Sequence, residues 1–153
     1  MRKILIALLP LLLAGCVDDT ASYRSDGGNL SITVHRAQEH LWSDDVTVEV
    51  IVARQPDCQR RVELGVIPAN DVEFELLSPG DDQWYLRAGQ QLWQFETLNC
   101  TQYEEAKGQP GQLLGTYKVD AGKLLFEPAT PAATATAPAA APAPGQAAEG
   151  QQQ

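Results

Sequence analysis

The chain has 153 residues, 44% of them hydrophobic, with 20 acidic against 11 basic side chains and a formal net charge of −9 at pH 7. An acid excess of this size repels phosphate-rich polymers and excludes nucleic acid as a partner, together with a basic membrane-binding patch. About 100 residues between the two atypical ends are enough for one modest core.

Arg2 and Lys3 precede a run from Ile4 to Leu13 that is apolar apart from the ring of Pro10. A helix needs about 20 apolar residues to span a bilayer, so this run is too short to stay there and reads as a secretory h-region. It closes on Leu13-Ala14-Gly15-Cys16. That arrangement resembles the lipobox of bacterial lipoproteins. The resemblance implies a signal peptide over residues 1–15, cleavage between Gly15 and Cys16, and a diacylglycerol on the Cys16 thiol. It implies that the protein lives in the cell envelope, held to a membrane by its acyl chains. Val17, rather than an aspartate, follows the lipid cysteine, which implies sorting to the outer membrane, facing the periplasm. Cleavage removes Arg2 and Lys3, leaving 9 basic side chains against 20 acidic ones and a net charge of −11.

An exported protein meets oxidising conditions, where disulfides persist. With Cys16 committed to lipid, the resemblance leaves Cys58 and Cys100 to pair with each other. No Cys-x-x-Cys motif is present, so the pair reads as a structural staple, and the chain-entropy model gives about 4 kcal/mol for a loop of that length.

Residues 16–28 are polar, with Asp18, Asp19 and the pair Gly27-Gly28, and are expected as a lipidated N-terminus and linker. The β domain is expected over residues 29–128. Leu30, Ile32 and Val34 alternate with polar residues, the period of a half-buried strand. Residues 37–42 fit either a short helical turn or a strand running into a hairpin. Val46, Val48, Val50 and Val52 form the clearest strand. Val62, Leu64 and Val66 predict another, ending near Pro68, and Asp71 to Leu76 alternate cleanly. Pro79-Gly80-Asp81-Asp82 is a turn. Trp84 to Arg87 and Gln91 to Leu98 follow as strands. Gly115 to Val119 and Lys123 to Glu127 flank the hairpin connection Asp120-Ala121-Gly122.

About seven or eight short strands and no long amphipathic helix predict an all-β fold, a single antiparallel β-sandwich or small β-barrel with one disulfide. Tryptophans do fall between the two cysteines, as in immunoglobulin domains. Leu98 stands where that pattern has a tyrosine, so the fold is not carried over in detail. From Pro128 onward the chain holds 11 Ala and 5 Pro with Glu149 as the one charge. Residues 129–153 are expected to be a disordered Ala/Pro-rich tail.

The chain carries no motif for chemistry. No serine sits in a nucleophile elbow, and no glycine-rich phosphate loop occurs. His35 and His40 lack companions at metal-ligand spacing, so they read as solvated, and neither metal nor other cofactor is expected. Trp42, Trp84, Trp93 and Tyr85 read as core rather than a ligand groove. Asp71, Glu73 and Glu75 share a strand face and form a candidate docking stripe for a basic partner or cation. Its alternative is a solvated face balanced by Arg60, Arg61 or Arg87. The expected function is that of a non-catalytic, membrane-anchored envelope lipoprotein whose β domain contacts another envelope protein. The alternative is a periplasmic inhibitor or small-ligand binder. Lipidated β-barrels that inhibit lysozymes are similar in size and in having one disulfide, although this chain lacks their Ser-Gly-rich stretch.

Overall fold

The alternating valines organise the molecule. A computed structural model describes residues 16–25 and 27–130; the signal segment 1–15 and residues 131–153 of the predicted tail lie outside the described residues. Ten strands occur: β1 (Asp18–Arg24), β2 (Leu30–Ala37), β3 (Asp45–Arg54), β4 (Cys58–Pro68), β5 (Glu73–Gly80), β6 (Gln83–Ala88), β7 (Gln91–Glu96), β8 (Thr101–Tyr103), β9 (Gln112–Asp120) and β10 (Lys123–Pro128). Of the two all-β forms expected, the sandwich with one disulfide is observed, with ten strands rather than seven or eight, and none of the described residues is helical. One sheet is the meander β1-β2-β3-β4, and the other has the order β10-β9-β5-β6-β7-β8. In the second sheet β9 returns beside β5 after the hairpins, a Greek-key connection.

Each sheet buries one face against the other. Ala21, Val34, Val50 and Val62 are cross-strand neighbours and form one buried row of the first sheet. Leu76, Leu86 and Trp93 form a row of the second. Such neighbours are the unit of sheet stabilisation, and each fully buried aliphatic side chain contributes about 1.5–3 kcal/mol. Gly115 continues the second row next to Leu76. A Cβ there would meet a Phe126 ring carbon at 2.4 Å, so the aromatic ring occupies the space a side chain would take.

Three expectations change and one open alternative is decided. The stretch taken for a linker carries β1, paired along its whole length with β2. Its inward positions are Asp19, Ala21 and Tyr23, too polar and small to look like a strand. Of the two forms expected for residues 37–42, the strand running into a hairpin is the one observed, with residues 38–44 as the β2–β3 loop. Val62, Leu64 and Val66 do not share a face. A bulge leaves Leu64 without a partner between Glu63 and Gly65, so Ile67 turns inward beside Val46 while Val66 is 62% exposed. Strand β7 stops at Glu96, because Glu96 accepts the Leu98 and Asn99 backbone N–H groups in a tight turn toward β8.

Candidate functional site

The two seams of the sandwich are closed differently. At one seam, beside the edge strands β4 and β8, the Cys58–Cys100 disulfide ties the first residue of β4 to the residue just ahead of β8 across a sequence separation of 42, as expected. Arg60 also donates to the Cys100 carbonyl at 3.2 Å, and Arg54 pairs with Asp82 at 2.6 Å near the same end.

At the other seam β1 lies beside β10, and a polar cluster locks them. Arg36 is 1% exposed. Its guanidinium donates to both Asp19 oxygens at 2.6 and 3.0 Å, and to the Ala69 and Gly122 carbonyls. Asp19 also accepts the Leu124 N–H of β10 at 2.8 Å. Burial opposes ionisation of Asp19. The Arg36 hydrogen bond, the Leu124 N–H and the charges of Arg36 and His35 outweigh it, and hold the carboxyl below its ordinary range. With all three guanidinium nitrogens of Arg36 engaged on the fold itself, the cluster is a structural lock.

His35 is not simply solvated. It lies between Asp18 at 2.8 Å and Glu49 at 3.3 Å, with Arg61 on the far side of Glu49 at 3.1 Å. The Asp18 hydrogen bond raises its pKa, partial burial lowers it, and the Glu49 bond and both negative charges add to the rise. Among the described residues no cluster of three or more His, Cys, Asp or Glu is arranged to hold a metal.

The predicted aromatics scatter. Tyr85 is buried under the segment that follows β8, donating to the Lys107 carbonyl. Trp84 donates to Thr97 at 3.2 Å. Trp93 packs on Phe74, and Trp42 stands exposed on the β2–β3 loop.

The acidic stripe separates into two parts. Glu75 is paired with Arg87 at 2.5 Å, one of the balancing arginines expected. Asp71 precedes β5 in a turn on Pro68, and Glu73 is exposed opposite Lys118. Asp71 and Glu73 border a cleft of about 140 Å³ between the sheets, lined by Leu64, Ile67, Phe74 and Trp93. The cleft exists for two local reasons. The β4 bulge bends that edge, and β8 covers only Gln94 to Glu96 of β7, leaving Gln91 to Trp93 as a free edge. A cleft this small lies below the roughly 300 Å³ at which small-molecule sites begin. Its volume is on the scale of a single side chain, with apolar walls and two carboxylates at the rim. The sequence signal for the cleft was weak: Gly65, with φ of 134°, marks the bulge.

Cys16 is exposed directly ahead of β1. No family model matches the chain, and neither the curated proteins nor the solved structures compared with it contain a match.

Proposed function

We propose that this chain is a bacterial envelope lipoprotein, acylated on Cys16 after cleavage behind Gly15. Its β-sandwich is a non-catalytic module that contacts another envelope component. The observation that carries the reading is the box Leu13-Ala14-Gly15-Cys16 after a short basic and apolar segment, with its cysteine exposed next to the first strand. Val17 favours the outer membrane, with the domain facing the periplasm. Two or more acyl chains make such an anchor stable, because each buried methylene contributes about 0.8 kcal/mol.

The cleft beside Asp71 and Glu73 supports contact with a basic residue of a partner. It opens at the same end of the sandwich as Cys16, since Asp45 pairs with Pro68 and the Asp44 carbonyl accepts from Ala69. A partner bound there sits close to the membrane, which favours an envelope component. The inhibitor reading keeps one argument, the match between an acidic rim and a basic enzyme.

The test is Cys16→Ala, followed by membrane fractionation and the mass of the N-terminal peptide. The wild type should carry the acyl mass and pellet with membranes. The variant should be soluble and retain its thermal transition. A variant that is exported and processed yet stays with the membrane defeats the anchor reading.

A further inference from the structure

The chain leaves its anchor point without slack. Cys16 is followed by Val17 and then by Asp18, the first residue of β1. Val17 is fastened through both backbone groups. Its N–H donates to the Gln38 side-chain oxygen at 3.1 Å, and its carbonyl accepts the Gln38 N–H at 2.8 Å. Gln38 opens the β2–β3 loop, and its side-chain amide donates to the Ser43 carbonyl near the loop's other end. Cys16 is therefore held next to this loop.

At the loop tip Leu41 is 68% and Trp42 86% exposed, more than any other large apolar residue described. Trp42 stacks on His40, with centroids 5.4 Å apart and planes within 1° of parallel, so the indole is ordered outside the core. At about 3.5 Å per residue, the tip lies within about 15 Å of Gln38. The thiol and the apolar tip thus share one end of the sandwich. Apart from the His40 stack, no contact among the described residues shields these two side chains from water. An indole, with an apolar body and a polar N–H, is suited to the headgroup level of a bilayer.

We infer that Leu41 and Trp42 form a second membrane contact, inserted at the lipid–water interface beside the Cys16 acyl chains. The inference rests on the anchor reading and adds an orientation to it. A lipid alone is a swivel, whereas a lipid and an inserted tip fix the tilt of the domain. Glu39, Asp44 and Asp45 are exposed around the tip. The surface it fits is therefore zwitterionic, and anionic lipid weakens the contact.

The experiment supplies the lipid chemically. Cys58 and Cys100 are bonded to each other, so Cys16 is the free thiol. The chain from Cys16 onward is coupled through it to a thiol-reactive phospholipid in phosphatidylcholine vesicles. Tryptophan emission is then read with bromine placed at shallow or deep positions of the acyl chains. Shallow bromine should quench part of the emission, and Trp42→Phe should abolish that part while the signal of Trp84 and Trp93 persists. Anionic lipid should reduce the quenching. The proposal is overturned if Trp42→Phe leaves the quenching unchanged, or if Trp42 emits on vesicles as it does in the uncoupled protein in buffer. Acylation in the cell is read separately from the mass of the native N-terminal peptide. A missing acyl mass defeats the anchor reading and leaves the measured lipid contact of the tip intact.

Discussion

The Tyr117 hydroxyl of one sheet donates to the Ile32 carbonyl of the other at 2.6 Å, and it also accepts the Tyr23 N–H at 3.3 Å. A side chain of β9 thereby takes part in the backbone pairing of β1 with β2. Burial raises the Tyr117 pKa far above its ordinary value, so the phenol stays neutral and keeps its proton to donate. Tyr117→Phe should lower stability by about 1–2 kcal/mol. It should also speed hydrogen exchange at the Tyr23 amide. An unchanged urea midpoint and unchanged exchange would refute this role.

The Arg36 lock should be unforgiving of single changes. Asp19→Ala leaves a guanidinium at 1% exposure without its carboxylate, which should cost about 3–5 kcal/mol. Replacing both partners, as Asp19→Leu with Arg36→Met, should cost less than the two single changes summed. Additivity of the two in a double-mutant cycle would show that the pair does not act as a unit.

The disulfide closes the seam opposite the Arg36 cluster. Replacing Cys58 and Cys100 together with alanine should lower stability by about 4 kcal/mol from loop entropy. Urea unfolding of the oxidised protein against the double variant gives the number. A loss below about 1 kcal/mol would mean that the unfolded chain is already compact there.

His35 makes stability depend on pH near neutrality. Its folded pKa is raised above 6.5, so the native state holds the proton more tightly than the unfolded chain. The contribution is fully present below about pH 6.5 and is lost as pH rises through the higher folded value. Urea midpoints between about pH 5.5 and about pH 8.5 should therefore fall on the alkaline side, and His35→Gln should flatten the slope. A slope that survives the substitution assigns the effect to another group.

A test of docking at the cleft spares Glu75, whose bond to Arg87 is part of the sheet. Asp71→Lys with Glu73→Lys reverses the cleft rim alone. Capture of a basic partner should fall at least about tenfold, the equivalent of about 1.4 kcal/mol. If capture is unchanged while Trp93→Ala is equally silent, the cleft is not the docking site.

Where alternation was strict, the sequence was readable. Val46 to Val52 face inward because every second residue of β3 lies on the buried face. The same rule failed at β1, whose inward residue Asp19 is tolerable only because Arg36 lies opposite it, 17 residues away. It failed again at Leu64, where one inserted residue reverses the faces that follow. The cleft was hidden for the same reason. It depends on a bulge in one sheet and a short strand in the other, and neither leaves a periodic trace. The stripe of Asp71, Glu73 and Glu75 was visible as a pattern, but its division into a paired and an unpaired part needed Arg87 and Lys118 in place.

Strands β1 and β10 run side by side in the same direction. Cys16 leaves the near end of β1, and the chain continues past Pro128 from the far end of β10, where Ala129 still donates to the Leu114 carbonyl. If the membrane holds one terminus and a partner pulls on the other, the two strands are loaded in opposite directions along their length. That is shear rather than peeling, and it strains the Asp19, Arg36 and Leu124 contacts together instead of one after another. Under that loading all of these contacts would have to give way at once.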